Sequence, residues 1–407
     1  MKVEKLIDLC NERPKYGANS SAIEHNKSLP RYVRITDILQ DGSLRKDKIV
    51  SIHKDEAKNY LLKEDDIVFA RSGSIGLTYL YKKEDGICAF AGYLIRFVPN
   101  QTKLNTKFLS HYTHSHLYWK WISSTKTAAT ISNVNAEQYS KMPIVLPPLP
   151  EQQQIASILS NVDDTIQKTD QIIKQTQRLK KAMMQKLLTR GIGHSKFKKT
   201  KIGEIPEEWE IVKLNSICTK ITDGTHHSPI NTDVGDFLYI TAKNIKTSGI
   251  DLTNVTYVSE KIHSEIYSRC NPEKNDVLYI KDGVTTGIAT VNELELPFSM
   301  LSSVALLKPN QKKLDSYFLK HYLNYQKTYN RIINSIVGSA ITRLTLILIK
   351  SIKFPLPPLP EQQQIASILS NIDTQIQKEK LHKANLERLK KGLMQKLLTG
   401  QIRVKGQ

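Results

Sequence analysis

The sequence predicts an α+β chain: two mixed α/β globules in a pseudo-twofold arrangement, separated by two long antiparallel α-helices forming a coiled coil. Three observations predict it. Leu146–Asn161 and Leu356–Asn371 read identically, LPPLPEQQQIASILSN, at an offset of 210. RLKK at Arg178–Lys181 and MQKLLT at Met184–Thr189 recur at Arg388–Lys391 and Met394–Thr399 in the same register. A repeat held in register over this length marks two copies of one structural module. The segments before each copy correspond more faintly, which makes the globules diverged relatives.

Each repeat carries helix signals in order. Pro150 and Pro360 suit the first helical turn, and Glu151 and Glu361 suit the positive end of the helix dipole. Gly191 and Gly400 are natural terminators, and Lys180, Lys181, Lys186 and Arg190 gather near the C-terminal end of the first copy. Residues 151–189 would span roughly 58 Å at about 1.5 Å per residue. Ile155, Ile158, Val162, Ile172, Leu179 and Met183 alternate in steps of three and four, flanked by Leu159, Ile166, Ile173 and Leu187. The second copy places Ile365, Ile368, Ile372, Leu386, Leu389 and Leu393 likewise, flanked by Leu369, Ile376 and Leu397. Thr165, Thr169, Thr176, Gln375, Glu379 and His382 interrupt the stripe, leaving an imperfect seam of about five heptads. Two matched stripes in one chain most simply pack on each other. The antiparallel sense places the globules at opposite ends of the rod.

Within the globules, residues 31–38 match 238–245 at an offset of 207, and 66–73 match 276–283 at 210. These short apolar–aromatic runs bounded by Gly, Asp and Asn read as strands and turns. Pro99-Asn100 aligns with Pro309-Asn310, and Phe108-Leu109 with Phe318-Leu319.

The chain has 407 residues, 59 Lys and Arg against 39 Asp and Glu, and a formal net charge of +20. That excess points to a polyanion, with nucleic acid ahead of a membrane surface. Residues 1–30 hold no apolar run of signal-peptide length, and nowhere do about 18 apolar residues run together, so a cytoplasmic protein is expected. Cys10, Cys88, Cys218 and Cys270 form no Cys-x-x-Cys pair, and neither a disulfide framework nor a zinc site is expected. Cys10 and Cys218, in KLIDLC and KLNSIC, read as equivalent core thiols. His111, His114 and His116 and the adjacent His226-His227 have no acidic or thiol cluster nearby to complete a metal site.

With the two PLPPLPEQQ junctions and their helices in view, the chain resembles the specificity subunit of type I restriction–modification systems over essentially its whole length. KIGEIPEEW at Lys201–Trp209 matches the usual opening of a target recognition domain, and DGTHHSP at Asp223–Pro229 is similar to a frequent loop of that domain. The resemblance implies target recognition domains at 1–145 and 192–355, and conserved spacer helices at 146–191 and, with the C-terminal tail, 356–407. It implies a noncatalytic reader of double-stranded DNA, each domain reading one half of a bipartite sequence. The helices would set the spacer and dock two methyltransferase (modification) subunits, joined by restriction (motor and nuclease) subunits. S-adenosylmethionine, ATP and Mg would belong to those partners, with no cofactor in this chain. The first half departs from the pattern by lacking a GEIPEEW-like opening. The tail after Gly400, QIRVKGQ, is expected to supply the missing strand-like segment and close the molecule into a ring.

Candidate DNA contacts lie where basic, hydroxyl and small residues mix. In the first domain they are Arg13, Lys15, Tyr16 and Asn19, then Arg71, Ser72 and Ser74. In the second they are Lys220, Thr225, His226 and His227, then Lys281 and Thr285. Lys126 and Ser339 form a further pair near the end of each domain. Lys and Arg supply phosphate contacts, and Arg, Asn and Ser can read base edges; the loop glycines allow close backbone approach.

An intrinsic methyltransferase or nuclease is disfavoured. The Pro-Pro pairs, Pro147-Pro148 and Pro357-Pro358, are flanked by Leu instead of the Asn/Asp and aromatic residues of an adenine-methylating motif, and no phosphate-binding loop occurs. A coiled-coil DNA-binding scaffold or regulator without a methyltransferase partner would share the charge and the helices; a copurifying methyltransferase separates the two.

Overall fold

The computed structural model describes residues 2–127, 133–335 and 343–404. Two compact units emerge: residues 1–170 with 382–407, and residues 171–381. The sequence-based division follows the order of the chain, whereas compactness cuts both long helices in the middle. Each half-helix buries its apolar side in its own unit.

The units are assembled by the same rules. In the first, a four-stranded sheet has the order Lys15–Tyr16, Leu94–Phe97, Ile67–Ala70, Thr78–Leu80. In the second, the order is Cys218–Asp223, Val304–Pro309, Val277–Ile280, Ala289–Val291. Beside it, Arg31–Val33 runs parallel to Cys88–Phe90, and Phe237–Ile240 parallel to Phe298–Met300. An antiparallel pair completes each unit, with Lys2 opposite Leu146 in one and Glu210 opposite Leu356 in the other. The expected strands are therefore present, and the ends of the 31–38 and 238–245 matches are capped turns. In those turns Asp37 accepts from the Arg34 N–H, and Asn244 from the Thr241 N–H.

Cys10 and Cys218 sit half-buried, each after a short 3-10 turn, and burial pushes both thiols up to about 12. They are less enclosed than the core position their flanking leucines imply. Cys88 and Cys270 are the buried pair.

The first long helix runs Leu149–Arg190 and the second Leu359–Leu398. Each begins one residue before its expected proline, because the Pro148 and Pro358 carbonyls accept the first helical bonds from Gln152 and Gln362. Gly191 and Gly400 follow the ends at φ 62 and φ 72, a backbone that favours glycine.

The verbatim repetition has a structural reason. Gln152 is buried, donates to the Lys103 and Pro147 carbonyls at 3.0 and 2.9 Å, and accepts from the Asn105 N–H at 2.9 Å. Gln362 makes the same three bonds with Lys313, Pro357 and Asp315. Two turns on, Ser160 hydrogen-bonds with buried His111 at 3.1 Å, and Ser370 with buried His321 at 3.0 Å. These side chains clamp a helix to its globule in the same way in both units.

Within each unit the half-helices run antiparallel. In the first, Asp170 pairs with Lys383 at 2.8 Å, Asp163 with Lys390 at 2.5 Å and Glu151 with Arg403 at 2.6 Å, so partner numbers rise as helix numbers fall. In the second, Lys180 pairs with Asp373 at 2.5 Å, and Met184, Leu187 and Leu188 share a core with Leu369, Ala366 and Ile365. The seam differs from the expected stripe. Ile172, Leu179 and Leu389 are exposed, whereas Thr169 and Ile173 are buried. The facing line passes through buried Thr169 and Ile173 and half-buried Ile166 and Thr176, positions counted as flanks and interruptions, beside the ion pairs Asp170–Lys383 and Lys180–Asp373.

The C-terminal tail reaches the start of the first helix, and its described residues, 401–404, form no strand. Arg403 donates to both Glu151 carboxylate oxygens, and the Val404 N–H donates to Oε1 at 3.2 Å. That guanidinium holds the Glu151 carboxyl below its ordinary range. In the second unit, Glu361 accepts from the Ile192 N–H, His194 Nε2 and Trp209 Nε1.

Candidate nucleic-acid interface

In each unit, the central sheet delivers two loops to one end. Tyr16 pairs with Ile95 in the first unit and Asp223 with Ala305 in the second, and both strands then run into a glycine. A Cβ on Gly17 would stand 2.3 Å from the Phe90 and Ala91 carbonyl oxygens, and one on Gly224 would stand 1.9 Å from that of Met300. Both glycines therefore serve a close approach to the chain's own neighbouring strand. For these two glycines the close approach is to the protein's own backbone, whereas a Cβ on Gly283 would meet open space.

That crossing ties the loops together. The Gly92 N–H donates to the Ala18 carbonyl at 2.7 Å, and the Arg71 N–H to the Tyr93 carbonyl at 3.0 Å, so one turn joins the Tyr16 and Arg71 loops. In the second unit the Ser302 N–H donates to Thr225 at 2.8 Å and the Lys281 N–H to Ser303 at 2.9 Å. The two loop pairs are structural equivalents, with Arg13 and Lys220, Arg71 and Lys281, and Ser74 and Thr285 in matching places, the second loop being one residue longer.

The chemistry within them has diverged. In the first unit the Arg71 guanidinium stacks over the Tyr16 ring, 4.8 Å from its centroid, and Nε reaches the Asn133 side chain at 3.4 Å. The Tyr16 hydroxyl accepts the Ala136 N–H at 3.1 Å, fixing the ring. Tyr16, Arg13, Lys15, Asn19 and Ser74 are exposed, and Arg71 and Ser72 half-buried. Lys15 lies 3.3 Å from Glu12 at the sheet edge. The patch is cationic, aromatic and rich in hydroxyl and amide groups, suited to phosphates and base edges.

In the second unit the position of Tyr16 holds Asp223, and that of Arg71 holds Lys281. Lys281 is 3% exposed, with Nζ 3.3 Å from Asp223 Oδ2. Its ammonium thus faces inward, against the sequence expectation of a surface contact, because the buried Asp223 carboxylate demands a counter-charge. Arg269 Nη2 donates to Asp223 Oδ1 at 2.6 Å and to the Gly224 carbonyl at 2.9 Å, and His226 Nε2 lies 3.4 Å from Oδ1. Lys220 donates to the Asn271 side chain at 3.1 Å and is half-buried. His226, His227 and Thr285 are exposed at the loop tips, with Thr225 half-buried beneath.

Arg269, Tyr93 and Arg343 were not singled out in the sequence. Arg269 ends the helix Glu260–Arg269, and Arg343 lies 3.6 Å from Asp282. No local pattern marks residues so distant from their partners, although an exposed Tyr after Gly92 is a usable hint. Lys126 belongs to the helix His116–Thr127, and Ser339 lies outside the described residues. His111 and His114 pack inward, where burial lowers both imidazoles.

The domain family described as "Type I restriction modification DNA specificity domain" matches residues 1–178 and 206–388. The chain belongs to the type I restriction–modification specificity subunit family. It is 32% identical over 369 residues to a putative type I restriction enzyme MjaX specificity subunit of Methanocaldococcus jannaschii, covering 88% of this chain and 83% of that one. It is 28% identical to the MjaVIII specificity subunit of the same organism, over 91% of this chain and 85% of that one. Among solved structures, the type I S subunit from M. genitalium superposes with a TM-score of 0.62 at 18% identity, covering 97% of this chain and 95% of that one. This specificity subunit thus carries two copies of the family domain, and its fold is that of S subunits. Among its described residues, no helix is long and apolar enough to cross a membrane.

Proposed function

We propose that this specificity subunit is the noncatalytic DNA reader of a cytoplasmic type I restriction–modification complex, each globule reading one half of a bipartite target. One observation carries the reading. The side chains that clamp globule to helix are the same in both units, while the loops at the sheet end differ at nearly every exposed position. Two copies of one support presenting different surfaces suit two different half-sites on one duplex.

The net charge of +20 supports a polyanionic ligand. Arg13, Lys15, Arg71 and Lys126 in the first globule supply the cations, with Tyr16, Asn19, Ser72 and Ser74 beside them. In the second, Lys220, Thr225, His226, His227, Thr285 and Ser339 take those roles. Lys281 acts from beneath by holding Asp223. The paired helices set the spacer and dock two methyltransferase subunits, with restriction subunits completing the assembly. S-adenosylmethionine, ATP and Mg are held by those partners, and the chain contributes no catalytic group.

The test is to express the chain with its modification subunit and map methylated adenines genome-wide. Two short specified blocks separated by an unspecified spacer support the reading. A single continuous motif, or methylation without sequence preference, overturns it. DNA binding by the chain with no copurifying methyltransferase would favour the scaffold alternative.

A further inference from the structure

The loop Lys281–Gly287 is one residue longer than its counterpart, Arg71–Gly76, and presents an apolar side chain at its tip. Val284 has a relative exposure of 106%, beyond that of an extended reference chain, and directly precedes Thr285, the residue that matches Ser74 of the first unit. A solvated valine at a loop tip usually folds back onto the protein, and this loop prevents it. Gly283 and Gly287 hold φ of 104 and 94, conformations that L side chains rarely adopt. The Thr286 hydroxyl donates to the Gly283 carbonyl at 2.6 Å, and the Gly287 N–H to the Ile280 carbonyl at 2.8 Å. At the base, Lys281 is locked by Asp223, and its carbonyl accepts the Leu344 N–H at 2.7 Å. The tip is held out by its own turn.

Its neighbours define what it can meet. The Ser302–Ser303 turn ties this loop to the one carrying Thr225, His226 and His227, so the valine stands among polar groups suited to a duplex. In the major groove, the one apolar feature among the base edges is the 5-methyl group of thymine. A rigid β-branched side chain loses little entropy on meeting it.

We propose that Val284 is a specificity-determining residue of the second recognition globule, reading the 5-methyl group of one thymine in its half-site by apolar contact. This rests on the DNA-reading function above. Three alternatives are testable together: a methyl contact, a partner-protein contact and an idle side chain.

The experiment uses the full chain assembled with its modification subunits, after the target has been mapped. Each thymine of the second half-site is replaced singly by deoxyuridine, which removes only the methyl group, and binding is measured for wild type and Val284→Ser. Wild type should lose about fourfold affinity at one thymine, the worth of one buried methyl group. Val284→Ser should bind the unmodified target about fourfold less tightly, ignore deoxyuridine there, and relax that position in the methylation map. The first half-site should not change, and Val284→Ile should keep the sensitivity. Equal deoxyuridine responses in wild type and Val284→Ser overturn the proposal, as does weaker assembly with unchanged sequence preference. If wild type shows no sequence-specific binding at all, the DNA-reading function itself fails, a different result.

Discussion

The indole of Trp209 donates to Glu361 Oε2 at 3.0 Å, joining the opening of the second globule to the start of the second long helix. Trp209 is completely buried, and the same carboxylate also receives the Ile192 N–H at 2.9 Å and His194 Nε2 at 3.0 Å. Glu151, its counterpart in the first unit, receives the half-exposed Arg403 and the Val404 N–H. One position in the repeat thus collects whichever segment leaves the other helix.

Glu361→Ala should destabilise the second unit by about 3 kcal/mol, because it strands buried donors that cannot return to water. Glu151→Ala should cost about 1 kcal/mol or less, since Arg403 can be rehydrated. Thermal unfolding of the two variants checks this; a loss at Glu151 equal to that at Glu361 would refute the explanation.

The divergence between recognition loops predicts unequal consequences at equivalent positions. Asp223→Ala leaves the buried Lys281 ammonium without its counter-charge and should cost about 3 kcal/mol or more. Tyr16→Ala removes one exposed stacking partner of Arg71 and should cost about 1 kcal/mol. Urea unfolding distinguishes them, and similar costs would mean that burial of Lys281 has been misjudged.

The clamp histidines predict a pH dependence. Burial, aided by the nearby Lys390 charge, pushes His111 down to about 3, and burial holds His321 well below its ordinary value beside Lys320 and Lys180. Asp163 and Asp373 face the two rings at 3.8 and 4.0 Å. A depressed histidine is neutral when folded, so its stabilisation is complete above about pH 6.5 and erodes as pH falls toward the folded value. Below pH 6.5 each contributes a slope of up to about 1.4 kcal/mol per pH unit, with buried His114 and His263 acting in the same direction. The His111→Asn/His321→Asn variant should therefore show a shallower fall in melting temperature between pH 7 and 5. An unchanged slope would assign the acid sensitivity elsewhere.

If the helices set the spacer, lengthening them should change it by a calculable step. Seven residues inserted between Thr176 and Gln177, and seven between Ile376 and Gln377, keep the apolar register. They add about 10.5 Å, or roughly three base pairs at 3.4 Å each. The methylation map should keep both half-sites and gain about three spacer positions; altered half-sites would end the ruler idea.

Lys15 is exposed at the sheet edge, and the proposed DNA-reading function gives it a phosphate contact. Lys15→Ala should weaken binding to all sequences alike and reduce the slope of log affinity against log salt by about one. A selective loss at one base pair would make it a base reader instead.

By itself the sequence determined the duplication, the two long helices, the strands at 67–70 and 277–280, and the equivalence of the recognition loops. All are written in local signals: exact repetition, capping residues and short apolar runs. Tertiary structure alone decided that Lys281 turns inward, that Gly17 and Gly224 lie against their own strands, and that Ile172, Leu179 and Leu389 leave the seam. Each depends on a partner far away in the chain: Asp223 for Lys281, the Phe90 and Met300 carbonyls for the glycines, and the facing helix for the seam. A lysine in a loop reads as a surface charge until folding brings a buried carboxylate beneath it. Electrostatic attraction acts through space, whereas sequence patterns record only neighbours along the chain.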